Sequence, residues 1–146
     1  TVVGSNNLLM EGMHVGHDCN IGNGCIIGNS SKIAGEVVID DFAILSANVL
    51  VHQFCHIGSY VMIGGGTCIA SREPVAYCGL NMVGLKRRNF PMEVINALHS
   101  AYLILYQNSK LFNERIEEIR TTVPKCKEVD YLIDFLVNSK RGFIGR

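Results

Sequence analysis

Every sixth residue from Val3 to Ile69 is an aliphatic β-former: Val3, Leu9, Val15, Ile21, Ile27, Ile33, Ile39, Leu45, Val51, Ile57, Ile63 and Ile69. An amphipathic helix repeats its apolar residues every 3.6 positions on average, and a half-buried strand every second one. A period of six fits neither. It fits a triangular coil with three short faces, in which each aliphatic residue points inward. One turn then takes 18 residues, and the twelve hexads make four turns of a parallel β-helix. Successive coils stack at the strand spacing of about 4.8 Å. The next position is mostly small (Gly4, Gly16, Gly22, Gly28, Ala34, Gly58, Gly64), which predicts that this residue lets the chain turn each corner. The spacing does not set the hand of the coil.

The pattern stops after Ser71, where Arg72-Glu73-Pro74 breaks the run. Residues 1–74 are therefore expected to be β-helix and 75–90 a linker ending in the basic run Lys86-Arg87-Arg88. Residues 91–146 are expected to form a three-helix region. Pro91 suits a first helical turn, and Val94, Ile95, Leu98, Ala101, Tyr102 and Leu105 follow at helical spacing. A second helix is predicted over Leu111–Arg120 and a third over Lys127–Asn138, with the apolar stripes forming the core of a small helical cap. Thr1 already lies in repeat register, and solenoid ends need a cap. Further N-terminal coils are therefore expected before it.

Thirteen basic and thirteen acidic residues give zero formal net charge, which removes the bulk electrostatic case for a nucleic-acid partner. No apolar run approaches the ~20 residues that span a bilayer, so stable membrane insertion is not expected. The six cysteines form no CxxC pair, and reduced, buried thiols in a cytoplasmic protein are the expectation.

The 18-residue turn also works as a ruler. It stacks His17 on Gly35 and Gln53, and His52 on Ala34 and Gly16. His14, His17, Asp18, Glu36, His52 and Gln53 should therefore gather along one side of the prism, with Gly35 leaving room for a ligand. Histidine is the natural general base near neutral pH, and Asp18 could orient His17. A zinc site built from His14, His17, His52 and His56 is the chemical rival, as in the gamma-class carbonic anhydrases. A non-catalytic scaffold is the other alternative. Arginines grip phosphate bidentately, so Arg87 and Arg88 suggest one small phosphorylated ligand.

The segments Leu8-Leu9-Met10-Glu11-Gly12-Met13-His14-Val15-Gly16-His17-Asp18-Cys19, Val51-His52-Gln53-Phe54 and Asn81-Met82-Val83-Gly84-Leu85-Lys86-Arg87-Arg88 resemble, in order, three motifs of the UDP-N-acetylglucosamine O-acyltransferases of lipid A biosynthesis. Residues 72–81 look most like Bacteroidetes members. The resemblance implies a left-handed β-helix and a cytoplasmic homotrimer with sites between subunits. It also implies transfer of an (R)-3-hydroxyacyl group from acyl carrier protein to the glucosamine 3-hydroxyl, without metal or cofactor. It makes His17 the general base and Asp18 its orienting partner. His14, Glu36, His52 and Gln53 would line the sugar-nucleotide site, Asn81, Arg87 and Arg88 would contact the nucleotide and its phosphates, and Gly65 would set acyl-chain length. Glu36 departs from the histidine many members carry, and Val83 from an acidic residue in some. The stretch between Ile69 and Arg72 is about half a coil shorter than is usual. The related N-acyltransferase of the same pathway is the sibling alternative, disfavoured by the basic run after Asn81 and by the helical end.

Overall fold

The computed structural model describes residues 1–70, 77–107, 109–139 and 142–143. The break at Arg72-Glu73-Pro74 and the short stretch near Ser71 lie outside the described residues. The chain divides into two compact units, Thr1–Val75 and Ala76–Arg146.

The first unit is a parallel β-helix of twelve two-residue strands. Sheet A stacks β1 (Val2–Val3), β4 (Asn20–Ile21), β7 (Val38–Ile39) and β10 (His56–Ile57). Sheet B stacks β2 (Leu8–Leu9), β5 (Ile26–Ile27), β8 (Ile44–Leu45) and β11 (Met62–Ile63). Sheet C stacks β3 (His14–Val15), β6 (Lys32–Ile33), β9 (Leu50–Val51) and β12 (Cys68–Ile69). Every pairing is parallel with partners 18 residues apart, such as Val15 with Ile33 and Ile33 with Val51. The aliphatic member of each strand enters one continuous core running from Ile21 to Ile69. β1 and β2 each stand at one end of their sheets, and Val3 and Leu9 remain exposed there.

The corners correct one expectation. The small residue after each aliphatic position does not carry the turn. The turn falls two residues later, in the left-handed backbone region, at Asn6, Asp18, Ser30, Glu36, Phe42, Asn48, Phe54 and Tyr60, with Gly12, Gly24 and Gly66 in equivalent places. Gly4, Gly16, Gly22 and Gly28 instead lie tight against the next coil. A Cβ at Gly16 would stand 2.7 Å from the Ala34 carbonyl carbon, and one at Gly28 would stand 2.6 Å from the Ala47 nitrogen.

Corner side chains tie one coil to the next. The buried thiols of Cys19 and Cys25 donate to the carbonyls of Ala34 (3.0 Å) and Asp40 (3.2 Å). The Ser31 hydroxyl donates to Ser46 O and accepts from Val49 N–H. Burial raises the Cys25 thiol pKa, so this thiol stays protonated and available as a donor.

The second unit contains α1 (Met82–Arg87), α2 (Met92–Gln107), α3 (Phe112–Thr122) and α4 (Lys127–Asn138). Three of these helices fall where the apolar spacing predicts them. The stretch read as linker holds the additional helix α1. α2 packs against α3 and α4, and Ile95, Leu98, Ala101 and Leu105 of α2 are buried, as are Ile116, Ile119, Val129, Leu132, Ile133 and Leu136. Tyr77 stacks on Tyr102 and Tyr106 of α2, with ring centroids 5.0 and 4.2 Å away. Burial pushes the Tyr106 phenol up to about 12, so these rings stay neutral. Phe143 lies edge-on to Tyr106 and beside Phe112.

Candidate functional site

The edge where sheet C turns into sheet A carries most of the candidate residues. His14 is the outward residue of β3. His17 and Asp18 lie on the corner that follows, Glu36 on the same corner one coil on, and His52 and Gln53 one coil beyond that. The ladder of sheet C sets this order, since β3, β6 and β9 pair in an 18-residue register. These six residues share one edge, as the ruler predicts.

His17 and Asp18 are sequence neighbours, and neighbouring side chains do not ordinarily meet. Here they do, because Asp18 sits in the left-handed region at φ 56°. His17 Nδ1 and Asp18 Oδ2 lie 2.9 Å apart. The hydrogen bond from His17, reinforced by its charge, holds the Asp18 carboxyl below the usual carboxylate range. An ionised carboxylate only accepts, so the proton in this bond belongs to Nδ1. In the neutral ring this leaves the Nε2 lone pair, the form a general base requires. Both side chains are open to solvent, at 74% and 73% exposure, so an arriving hydroxyl can reach the ring.

Gly35 does not leave an empty pocket. The imidazole of His17 occupies the space above it: a Cβ built at Gly35 would stand 2.5 Å from His17 Nε2 and 2.6 Å from Cε1. The Glu36 N–H donates to the His17 carbonyl (2.9 Å), and the exposed Glu36 side chain takes the corner place above Asp18. His52 and the Gln53 carbonyl lie 3.2 Å apart through Nδ1. A carbonyl only accepts, so His52 Nδ1 is the donor in this contact.

Lys32 was not singled out by the motifs. It is the register partner of His14 on sheet C and donates from Nζ to Gly12 O (2.6 Å), which puts a cation on the site's face. The signal was available, since Lys32 follows His14 by one full turn.

Two candidates lie elsewhere. Gly65 stands on the corner between sheets B and C, where an added Cβ would meet Ala47 O at 3.3 Å and Ser46 Cβ at 3.7 Å. The offset from His17 is not a multiple of 18, so one chain does not bring the two together. His56, weighed as a zinc ligand, is on β10 of sheet A, where its Nε2 pairs with Asp40 Oδ1 at 2.9 Å. Among the described residues no three His, Cys, Asp or Glu side chains are grouped to hold a metal ion.

Asn81, Arg87 and Arg88 belong to the helical unit. Asn81 caps α1, its side-chain oxygen accepting from the Gly84 N–H (3.0 Å). Arg87 ends the last turn, and the Arg88 N–H donates to the carbonyls of Gly84 and Leu85. Both arginine side chains are exposed. Asn81 therefore has a structural task besides the contact expected of it, and its amide nitrogen is the part left for a ligand.

Residues 68–144 match the family model described as Udp N-acetylglucosamine O-acyltransferase, Domain 2. Residues 1–35 match that of the bacterial transferase hexapeptide (six repeats). The chain is 39% identical over 99% of its length to the acyl-[acyl-carrier-protein]–UDP-N-acetylglucosamine O-acyltransferase of Aliivibrio salmonicida, and covers 58% of that protein. Identity to the Pseudomonas putida protein of the same description is 41% over 97% of the chain and 58% of the relative. Among solved structures, a UDP-N-acetylglucosamine acyltransferase from Bacteroides fragilis superposes with a TM-score of 0.91 at 53% identity, over 95% of this chain and 58% of that one. The Francisella novicida enzyme gives 0.92 at 35% identity, over 100% and 57%. The chain thus spans just under 60% of the length of the proteins it matches.

Proposed function

The chain belongs to the UDP-N-acetylglucosamine O-acyltransferase family, and on that premise we propose that its protein transfers an (R)-3-hydroxyacyl group from acyl carrier protein to the 3-hydroxyl of UDP-N-acetylglucosamine, the first step of lipid A biosynthesis. The observation that carries this reading is the His17–Asp18 pair, which engages the ring through Nδ1 and leaves Nε2 on an open edge, to act as the base when the ring is neutral.

His17 Nε2 removes the proton of the sugar 3-hydroxyl as its oxygen attacks the thioester carbonyl carbon. The new C–O bond forms, the C–S bond breaks, and the carrier thiolate leaves with the proton that His17 returns. Asp18 stabilises the imidazolium formed between these steps. A thioester is already activated toward acyl transfer, so the chemistry calls for neither metal nor cofactor. His14, Glu36, His52 and Gln53 hold the sugar nucleotide. Glu36 acts as a hydroxyl acceptor. Asn81 contacts the nucleotide, and Arg87 and Arg88 its phosphates. Gly65 leaves its corner unfilled and so admits a long acyl chain.

A homotrimer supplies what one prism lacks. His17 and Gly65 occupy different corners, and a neighbouring copy can set one against the other. Sheet B presents an outward row of Leu8, Ile26, Ile44 and Met62, with Leu8 and Met62 51% and 57% exposed, a surface suited to burial against such a copy. No helix among the described residues is long and apolar enough to cross a membrane, and the soluble acyl carrier protein places the reaction in the cytoplasm.

The test is mass spectrometry of the product formed by the full-length protein from UDP-N-acetylglucosamine and a mixed pool of 3-hydroxyacyl carrier proteins. An alkali-labile ester is expected. UDP-N-acetylglucosamine offers no free amine, so an amide formed only when a sugar nucleotide with a free 2-amino group is supplied would point to the sibling N-acyltransferase, and no product from either acceptor would remove the activity. Sedimentation of the same protein should report a trimer, and a monomer would overturn the assembly.

A further inference from the structure

We propose that Gly35 is a positioning residue whose missing side chain seats the His17 imidazole. The observation is steric. A Cβ at Gly35 would fall 2.5, 2.6 and 2.9 Å from His17 Nε2, Cε1 and Cδ2, and no other group is as near. The ring lies across the glycine with Nε2 closest, while Asp18 holds Nδ1 from the other side.

The backbone does not require glycine at this place. Gly35 is absent from the positions with positive φ, whereas Gly24, which also has a ring above it (that of Phe42), has φ +63°. The equivalent hexad place elsewhere carries Ser5, Glu11, His17, Asn23, Asn29, Asp41, Ala47, Gln53, Ser59 and Gly65. Ala47 shows that a Cβ fits there when no ring leans in. Glycine at position 35 therefore answers to His17 and not to the turn. Moving the ring from 2.5 Å to an ordinary contact takes a retreat of about 1 Å. The obstacle is a side-chain ring and not packed backbone, so the ring yields while the coil stands.

The seat stands on geometry alone. Only its catalytic consequence rests on the acyl transfer proposed above. The experiment is Gly35→Ala in the full-length protein, read by the 15N resonances of the His17 ring, by kcat and KM for acyl transfer, and by thermal melting. The expected result is unchanged melting, a changed Nδ1–H resonance, and a kcat about 10²-fold lower with little change in KM, the scale of loss for a 1 Å misplacement. In a His17→Ala background the same substitution should cost nothing further.

Ring resonances identical to wild type overturn the proposal. So does an undiminished effect of Gly35→Ala once His17 is gone. If Gly35→Ala alone fails to fold, the double variant His17→Ala/Gly35→Ala decides. Recovery of wild-type melting supports a clash with the ring, and failure to recover refutes it. A wild-type protein without acyl transfer would sink the functional reading, while the resonances still decide the seat.

Discussion

The solenoid and the helical unit both bury rows of aliphatic side chains, yet they order them differently. In the solenoid each inward residue meets its counterparts 18 residues earlier and later, so Ile33 lies between Val15 and Val51. In the helical unit Ile119 lies in a core shared by helices whose spacing along the chain is irregular. The first arrangement is a lattice, in which sequence position becomes spatial position by arithmetic. The second is a packing solution that depends on how three helices meet. Chemistry that needs residues held at a fixed spacing gains from the lattice, and the His17 edge lies on it.

The sharpest trial of that contrast is His17→Ala. The loss of acyl transfer should reach about 10²–10⁴-fold, the contribution of a positioned general base, with the oligomeric state unchanged. An active variant would leave the lattice as scaffold only. Core truncation comes next. Ile33→Ala and Ile119→Ala should each cost about 2–5 kcal/mol, read from denaturant midpoints. Their reach should differ. In hydrogen exchange Ile33→Ala should loosen the coils that stack on it and fade along the axis, as nearest-neighbour coupling requires. Ile119→Ala should loosen α2 together with α3. Uniform loosening of all four coils would break the contrast.

Smaller effects test the two ways a site residue is fixed. Asn81→Ala removes the α1 cap and should cost about 1 kcal/mol, whereas Asn81→Asp keeps an acceptor for the Gly84 N–H and should melt like wild type. The last test follows the pH response of Asp18. The hydrogen bond from His17 depresses its pKa in the folded state, so the pairing is fully present above the ordinary aspartate range. It weakens only as pH falls through the lowered value. Titration of the Asp18 carboxyl carbon by 13C resonance should show the midpoint rise when His17 is replaced by alanine, and an unmoved midpoint would mean that the ring does not hold the carboxylate.

Much of this was legible in the residues. The sixfold spacing of the aliphatic positions is a local signal with no competing period, and it placed His14, His17, Asp18, Glu36, His52 and Gln53 on one edge. The α1 helix was less legible. Six residues with a glycine at Gly84 carry no stripe, and its start is set by an Asn81 side chain that could as easily face a ligand. The corner glycines were misjudged because small size has two causes, a left-handed backbone or a close neighbour, and composition does not separate them.

The sequence by itself therefore determined the coil, its 18-residue turn and the column that joins His17, Gly35 and Gln53, because a lattice converts spacing into position. Only the tertiary structure decided which way the His17 ring leans within that column. A left-handed turn at Asp18 carries the carboxylate to Nδ1, and the bare Cα of Gly35 takes Nε2. The place that looked like room for a ligand holds the His17 ring, since the direction of a side chain is settled by contacts that a repeat does not encode.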